Sequence, residues 1–395
     1  MNVIKFLTII FLIICTTFII KAADDDGTNA FNPVTVSVPS LTIAPDARGG
    51  GMGDIGVATE PDMSSQYWNP AKYAFAYSKA GVNLSYTPWL RNLVDDIDLV
   101  FLSGYYKLGD SDRQAIGASL RYFSLGSITI TDRSGKELTR VSPYEMAVDA
   151  GFSIKTSETF SIAGTFRFIY SDMGTNIDGA SDLQPGYALA ADIAGYYNNY
   201  LMIGNNECLL GLGINVSNIG SKISYDGGNT TYFIPTNLRI GSSLLFPLDN
   251  YNTLSLNIDA NKYLVPTQPL LPEGTEQEAE RQTILEKYRS TGSIAGIFKS
   301  FSDAPGGAKE EFQEIMWSFG AEYAYDNKFF VRGGYFYENP YKGNRQYFSL
   351  GAGFKFMSFQ LDAAYLISTV PSNPLDQTLR FSLTFDMDGL KSLMR

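Results

Sequence analysis

Residues 160–170 read FSIAGTFRFIY, and large apolar side chains alternate with small or polar ones along this stretch. In an extended strand the phenylalanines lie on one face and Ser161, Thr165 and Arg167 on the other, with Ile169 the single exception. The same period of two recurs in residues 144–155, 254–261 and 379–386. The chain is therefore predicted to be all-β.

These strands are long enough to cross a bilayer at a tilt, which takes roughly 9 to 11 residues. The strands of a soluble β-sandwich also alternate apolar and polar residues, with the apolar face inward. Alternation alone therefore does not decide between a soluble sandwich and a membrane barrel. About fourteen strands are predicted, an even number as in bacterial outer-membrane barrels. They lie at residues 82–89, 97–108, 114–125, 143–156, 159–172, 186–199, 208–219, 235–247, 251–263, 313–325, 328–338, 346–357, 359–368 and 376–387.

The lengths of the connections favour the membrane barrel over the sandwich. Connections at 109–113, 157–158, 200–207, 248–250, 326–327 and 358 are short, and those at 126–142, 173–185, 220–234 and 264–312 are long. Short turns on one side and long loops on the other are typical of outer-membrane barrels. Residues 81–395 are thus predicted to form an antiparallel transmembrane β-barrel, with the N-terminus and the short turns in the periplasm and a long extracellular loop at 264–312.

The first 22 residues are predicted to be a secretory signal peptide. Lys5 precedes an apolar run from Phe6 to Ile20, and small residues follow, with cleavage expected after Ala22. Together with the barrel pattern, this leader indicates the outer membrane of a Gram-negative bacterium.

Residues 23–80 are predicted to be an N-terminal segment that plugs the lumen, because a fourteen-stranded barrel is too wide for its wall side chains to close. Arg48 is expected to pair with wall carboxylates such as Glu145 or Asp149. A disordered periplasmic linker is the alternative, although the aromatic residues of this segment oppose it. The residues predicted to form the plug are Arg48, Gly49, Gly51, Gly53, Trp68, Asn69 and Pro70.

The glycines at 51, 53 and 56 also match G-x-G-x-x-G, the fingerprint of dinucleotide sites. That reading requires a preceding strand and a following helix, and the prolines at 45 and 61 interrupt both. The glycines are better explained by close backbone packing.

The long loop at 264–312 contains two candidate helical stretches. The first is expected to start near Thr275 and to run to Ser290, and the second has apolar residues spaced along one helical face. Such a face is either a partner-binding surface or a lid packed on the barrel mouth. The residues predicted for partner binding are Ile284, Tyr288, Ile294, Ile297, Phe298 and Phe301.

Composition excludes several functions. The chain has no histidine, which removes Ser-His-Asp triads and His-based metal sites. A net charge of -11 opposes nucleic acid as a partner. We therefore expect neither catalysis, nor a cofactor, nor a bound metal.

Three stretches carry a resemblance to known families. Residues 46–58 together with Trp68-Asn69-Pro70-Ala71 resemble the N-terminal signature of FadL-like outer-membrane barrels. The combination of residues 48–53, 56–58 and 67–71 with Ser85-Tyr86-Thr87-Pro88-Trp89-Leu90 is more similar to the PorV family of the type IX secretion system.

This resemblance implies a barrel that binds the C-terminal signal domain of cargo proteins at a translocon barrel and delivers them to a sortase-like surface protein, with outer-membrane lipid around it. A FadL-type transporter of hydrophobic small molecules is the alternative, and it would need a continuous apolar lumen. The inward-facing positions predicted here instead carry mixed charge, namely Arg121, Glu145, Asp149, Arg167, Asp192, Arg239, Asp259, Glu322, Arg332, Lys355, Asp362 and Arg380.

Overall fold

A computed structural model describes residues 31–387, apart from 92–93, 95, 110–111, 132–133, 175–182, 270–277, 372 and 374. Within these residues, fourteen antiparallel strands close into one barrel, and a two-stranded hairpin lies outside it. The barrel strands are β1 (Ala80–Pro88), β2 (Ile97–Leu108), β3 (Gln114–Leu125), β6 (Tyr144–Lys155), β7 (Phe160–Asp172), β8 (Gly186–Ile203), β9 (Asn206–Gly220), β10 (Asn237–Pro247), β11 (Asn252–Tyr263), β12 (Met316–Tyr325), β13 (Phe329–Tyr337), β14 (Gln346–Phe356), β15 (Phe359–Ser368) and β16 (Leu379–Asp386). The hairpin pairs β4 (Ile128–Thr131) with β5 (Glu137–Val141).

The prediction of a fourteen-stranded antiparallel barrel is confirmed. Each barrel strand pairs with its neighbour in the chain, and β1 pairs with β16 to close the ring. The hairpin of β4 and β5 was not predicted, because it lies in the long connection at 126–142 and its strands have only 4 and 5 residues. The connection predicted at 200–207 shortens to Gly204 and Asn205, since β8 and β9 extend toward each other.

Burial in the barrel is inverted relative to a soluble protein. Along β7, outward-facing Phe166 is 61% exposed, whereas inward-facing Arg167 is 5% exposed. The same contrast runs round the wall, with large apolar side chains outside and polar ones buried inside. An apolar outer face is stable when it contacts lipid, so the alternation is that of a membrane barrel.

The helices of the described chain are short. The N-terminal part contains α1 (Ala47–Gly50), α2 (Ser65–Trp68) and two 3-10 turns at Pro39–Thr42 and Pro70–Phe75. The long loop between β11 and β12 contains α3 (Glu278–Ser290), α4 (Ser293–Lys299) and α5 (Ala308–Gln313). None of the helices in the described residues has both the length and the apolar character needed to cross a membrane. The predicted signal peptide at 1–22, residues 23–30 and the predicted helix start at 275–277 lie outside the described residues.

Residues 32–78, which we call the luminal segment, run through the barrel from the end with the long loops to the end with the short turns. The Asn32 backbone N–H donates to the carbonyl of Tyr341 at 2.9 Å, and its side chain donates to the carbonyl of Gln268 at 3.1 Å. Tyr341 lies in the connection between β13 and β14 and Gln268 in the long loop after β11, at the same end of the barrel, whereas Ala80 begins β1 at the opposite end. Long loops are extracellular in this class of barrel. The expectation of a periplasmic N-terminus applies to residues outside the described ones, and the first described residues connect to the extracellular end.

The first prediction concerns the lipid-facing wall. Leu350 lies in the middle of β14 and is 55% exposed. Leu350→Arg should lower the free energy of unfolding from lipid vesicles by about 2–4 kcal/mol, because it places a charge against hydrocarbon. Leu138→Arg in the β4–β5 hairpin, where the leucine is 51% exposed, is the matched control and should change little. Urea midpoints measured in vesicles test this, and equal midpoints for both variants would contradict a lipid contact at Leu350.

Candidate functional site

Arg48 in α1 is held between two carboxylates inside the lumen. Its Nη1 lies 3.0 Å from Asp62 Oδ2, and its Nη2 and Nε lie 2.9 and 3.2 Å from the two carboxylate oxygens of Glu322 in β12. Arg332 in β13 donates to the same Glu322 at 2.5 Å and to Asp362 in β15 at 2.6 Å. The arginine of the luminal segment thus joins a charge network that extends over three wall strands.

Arg48 does pair with a wall carboxylate, but the partners expected from the sequence, Glu145 and Asp149, are wrong. Glu145 accepts a hydrogen bond from the Ser40 backbone N–H at 3.1 Å. Asp149 accepts one from the Gln66 side chain at 2.8 Å. Both carboxylates lie on β6, whereas Arg48 contacts β12, which is far from β6 in the strand order. They still hold the luminal segment, but at other residues.

The glycines of the luminal segment and of the wall bring two backbones into direct contact. Gly53 has a φ of +80°, and a Cβ there would lie 2.8 Å from the backbone nitrogen of Tyr335. On the wall, a Cβ at Gly334 would lie 2.0 Å from the carbonyl carbon of Met52, and one at Gly213 would lie 2.1 Å from the carbonyl oxygen of Val57. No side chain fits at these contacts, so glycine is required on both sides.

The predicted Trp68-Asn69-Pro70 element fixes the fold of the segment itself. The Trp68 indole is 2% exposed and donates to Asp46 Oδ1 at 2.6 Å. The Asn69 amide donates to the carbonyls of Val57 at 2.9 Å and of Gly195 in β8 at 3.0 Å. Its oxygen accepts from the Ala71 N–H at 3.1 Å and so caps the 3-10 turn that Pro70 begins. Gly49 packs against the Trp68 ring. A Cβ at this position would lie only 2.5 Å from the ring, so no larger residue fits.

Wall side chains also accept hydrogen bonds from backbone N–H groups of the luminal segment. Asp259 in β11 accepts from Gly56 and Val57 at 2.9 and 3.1 Å. Ser349 in β14 accepts from Gly53 at 2.7 Å. The segment is therefore anchored from several directions, and its irregular backbone is satisfied within the barrel.

Several titratable groups of the segment have shifted pKa values, among them Asp46 and Lys72. Burial raises the pKa of Asp46 to about 6, and the charge of Asp62 adds to this shift. Lys72 is fully buried, and its ammonium donates to the Gly56 carbonyl at 2.7 Å and to Thr59 Oγ1 at 3.0 Å. Burial lowers the pKa of Lys72 to about 8, although nearby Asp62 opposes the shift. The Lys72 ammonium thus has its hydrogen-bond partners within the segment itself.

The charged positions predicted to face inward do lie on the lumen side. All except Lys355 are at most 6% exposed. Sequence reasoning missed Asp54, whose carboxylate lies 2.5 Å from Arg380 Nη1 and 2.7 Å from the Tyr347 hydroxyl. Asp54 follows Gly53 within a glycine-rich stretch, and nothing in that stretch distinguishes it from a turn residue.

Three cavities inside the barrel are lined by a mixture of polar and apolar groups. One of about 510 Å³ opens at the short-turn end and is lined by charged residues of both the luminal segment and the wall, among them Glu60, Asp62, Lys355 and Asp386. Two others, deeper in the barrel, have volumes of about 10 and 30 Å³. These deeper spaces are about the size of one or two water molecules.

The residues predicted for partner binding divide into two groups. Ile294, Phe298 and Phe301, in and just after α4, are 58%, 73% and 52% exposed. Ile284 and Ile297 are half-buried. Tyr288 packs down on the barrel mouth, donating from its hydroxyl to the Pro266 carbonyl at 3.2 Å, with its ring edge-on to Phe233 at 5.8 Å. The loop thus combines a packed base with an exposed apolar surface.

A closed barrel with an apolar outer face and polar side chains on its inner face defines an outer-membrane β-barrel of a Gram-negative bacterium. Residues 26–270, more than half of the chain, match the family model described as type IX secretion system protein PorV. The chain belongs to this family and is a component of type IX secretion.

Solved structures similar to this chain include outer-membrane transporters. The toluene transporter TbuX of Ralstonia pickettii is 13% identical, with a TM-score of 0.46 and coverage of 87% of this chain and 98% of that one. A FadL homologue of Pseudomonas aeruginosa is 14% identical, with a TM-score of 0.41 and coverage of 90% and 100%. The toluene transporter TodX of Pseudomonas putida is 11% identical, with a TM-score of 0.46 and coverage of 85% and 95%. No curated protein matches the chain.

The second prediction concerns the charge network of the lumen. Arg48→Met should lower the free energy of unfolding by on the order of 3 kcal/mol, because it leaves Asp62 and Glu322 buried with fewer partners. Lys328→Met is the control, since its pair with Asp326 at 2.5 Å is 59% and 40% exposed and should contribute little. Urea midpoints of the refolded barrels measure both effects. Equal losses of unfolding free energy in the two variants would show that the buried contacts of Arg48 stabilise the barrel no more than the exposed pair of Lys328.

The third prediction tests the backbone contact at Gly334. Gly334→Val should displace the luminal segment, because its side chain would occupy the space of Met52. We expect the Gly334→Val barrel to remain folded, as judged by its altered mobility on gels run without heating the sample. The folded variant should conduct ions in planar bilayers. Gly333→Val, at the adjacent outward-facing position with no atom nearer than 4.0 Å, should remain closed. A closed Gly334→Val barrel would contradict the tight contact.

Proposed function

We propose that this barrel is a non-enzymatic shuttle and docking subunit of type IX secretion. In this proposal the luminal segment is a permanent plug, and the extracellular loops bind folded protein partners. The barrel binds the C-terminal signal domain of cargo at the translocon barrel and delivers it to a sortase-like surface protein. Membership of the secretion family supports the general role, and the resemblance of the N-terminal motifs supports the cargo and sortase steps.

The proposal rests on the contacts between the luminal segment and the wall. Backbone contacts at the wall glycines and the Arg48–Glu322 pair support a segment that stays in the lumen. A barrel plugged in this way would act through its outer surfaces. Its large extracellular loop supplies such a surface, with Ile294 and Phe298 among the exposed apolar side chains.

A FadL-type transporter of hydrophobic small molecules is less well supported. Such a transporter needs an apolar pocket that continues through the lumen. The largest luminal cavity described above is lined by charged residues, and the deeper spaces hold no more than water. Displacing the luminal segment to open a path would separate several buried ion pairs, each of which is costly to break.

The fourth prediction tests the exposed surface of the loop. The double variant Ile294→Asp and Phe298→Asp should reduce co-purification of the translocon barrel and of cargo by at least about tenfold, equivalent to about 1.4 kcal/mol. The reason is that exposed apolar anchors contribute most of the energy of such interfaces. The measurement is a mild-detergent pull-down of the tagged, full-length protein from outer membranes, with quantitative mass spectrometry.

The matched control is Ile128→Asp with Leu138→Asp, which changes two apolar side chains of similar exposure in the β4–β5 hairpin. Control and test variants should reach the outer membrane at equal levels. Undiminished recovery of translocon and cargo with the loop variant would refute the docking surface. Recovery of the barrel without protein partners, but with one hydrophobic small molecule per barrel in its lumen, would favour the transporter.

A further inference from the structure

The last part of the long loop contacts the outer wall of the barrel at Lys262 as well as the β13–β14 connection at Lys342. Lys262, at the extracellular end of β11, has the same outward direction as Ala260 and Ile258 but is only 8% exposed. It is covered by Glu311 and Glu314, whose carboxylates lie 3.0 and 2.5 Å from its ammonium. This ion pair attaches α5 to the membrane-facing side of β11.

A groove of about 330 Å³ lies between this part of the loop and the wall. Its floor is formed by outward-facing residues of β10 and β11, and its other side by two phenylalanines of the loop, which are 52% and 75% exposed. The two charged residues at the groove, Lys262 and Glu311, are paired with each other. The groove is lined by Leu238, Ile240, Ala260, Asn261, Lys262, Phe301, Ala308, Glu311, Phe312 and Ile315.

The position of the groove determines what can fill it. Its floor continues the apolar outer face of the barrel, where Ile240 is 50% and neighbouring Ile214 is 44% exposed. This face contacts the hydrocarbon of the outer leaflet. Water in an apolar groove would lack the hydrogen-bond partners that it needs. Hydrocarbon from the adjacent leaflet meets no such cost and gains contacts with both phenylalanines.

We propose that this groove is a binding site for one acyl chain of an outer-leaflet lipid, held between β10, β11 and the loop. Its volume is at the small end of the range for ligand pockets, about 300–1,000 Å³, which suits a single chain. The Lys262–Glu311 pair closes its upper side and leaves it open toward the membrane. The bound chain would contact the loop at Phe301 and Phe312. This site does not depend on the proposed role in secretion.

The test is native mass spectrometry of the full-length barrel, purified in mild detergent and washed extensively. Wild-type protein should retain one lipid per barrel. Ala260→Trp should reduce that occupancy by at least about tenfold, because the indole fills the groove. Ala352→Trp is the matched control, since it adds the same side chain at an outward-facing position of β14 outside the groove. The control should retain the lipid.

A second variant distinguishes loss of the groove from misfolding of the Ala260→Trp protein. Phe312→Ser removes one of the two phenylalanines on the loop side of the groove, outside the strands of the barrel, and should also lose the lipid. Equal lipid retention in all four proteins, or no retained lipid in the wild type, would overturn the proposal. So would recovery of a protein segment in place of lipid, which would identify the groove as a partner interface.

Discussion

The structure depends on one constraint, which is that a ring of fourteen strands encloses more space than its own side chains fill. The luminal segment occupies that space as an irregular backbone, and such a backbone inside a membrane requires a partner for each polar group. The wall supplies these partners as Asp259, Ser349 and Gly195, and it supplies room as glycines. The residues of the inward face thus fit the segment that the barrel surrounds, whereas the residues of the outward face suit contact with lipid.

Charge in the lumen follows the same constraint. Arg48 makes two hydrogen bonds to Glu322, which also accepts from Arg332. Buried ion pairs contribute little net stability compared with apolar packing, but separating their members is costly. A network of this kind therefore favours one position of the segment over others.

The strands could be predicted from the sequence because a period of two and the loop lengths are local signals. The partners of Arg48 could not, since they depend on which strand faces α1 across the barrel, and alternation carries no such information. The direction of the luminal segment could not be predicted either. A short chain that enters from the extracellular side and one that enters from the periplasm have the same composition, and only contacts such as Asn32 with Tyr341 distinguish them.

The path of the luminal segment has a consequence for biogenesis. The segment runs directly into β1, and β1 meets β16, the last strand of the chain, at the seam of the ring. If the ring closed first, a chain bearing bulky, charged side chains would have to thread along the lumen from the short-turn end toward the long loops. Docking the segment before β1 pairs with β16 would avoid that barrier. The last strand pair would then form around a lumen that already holds the segment.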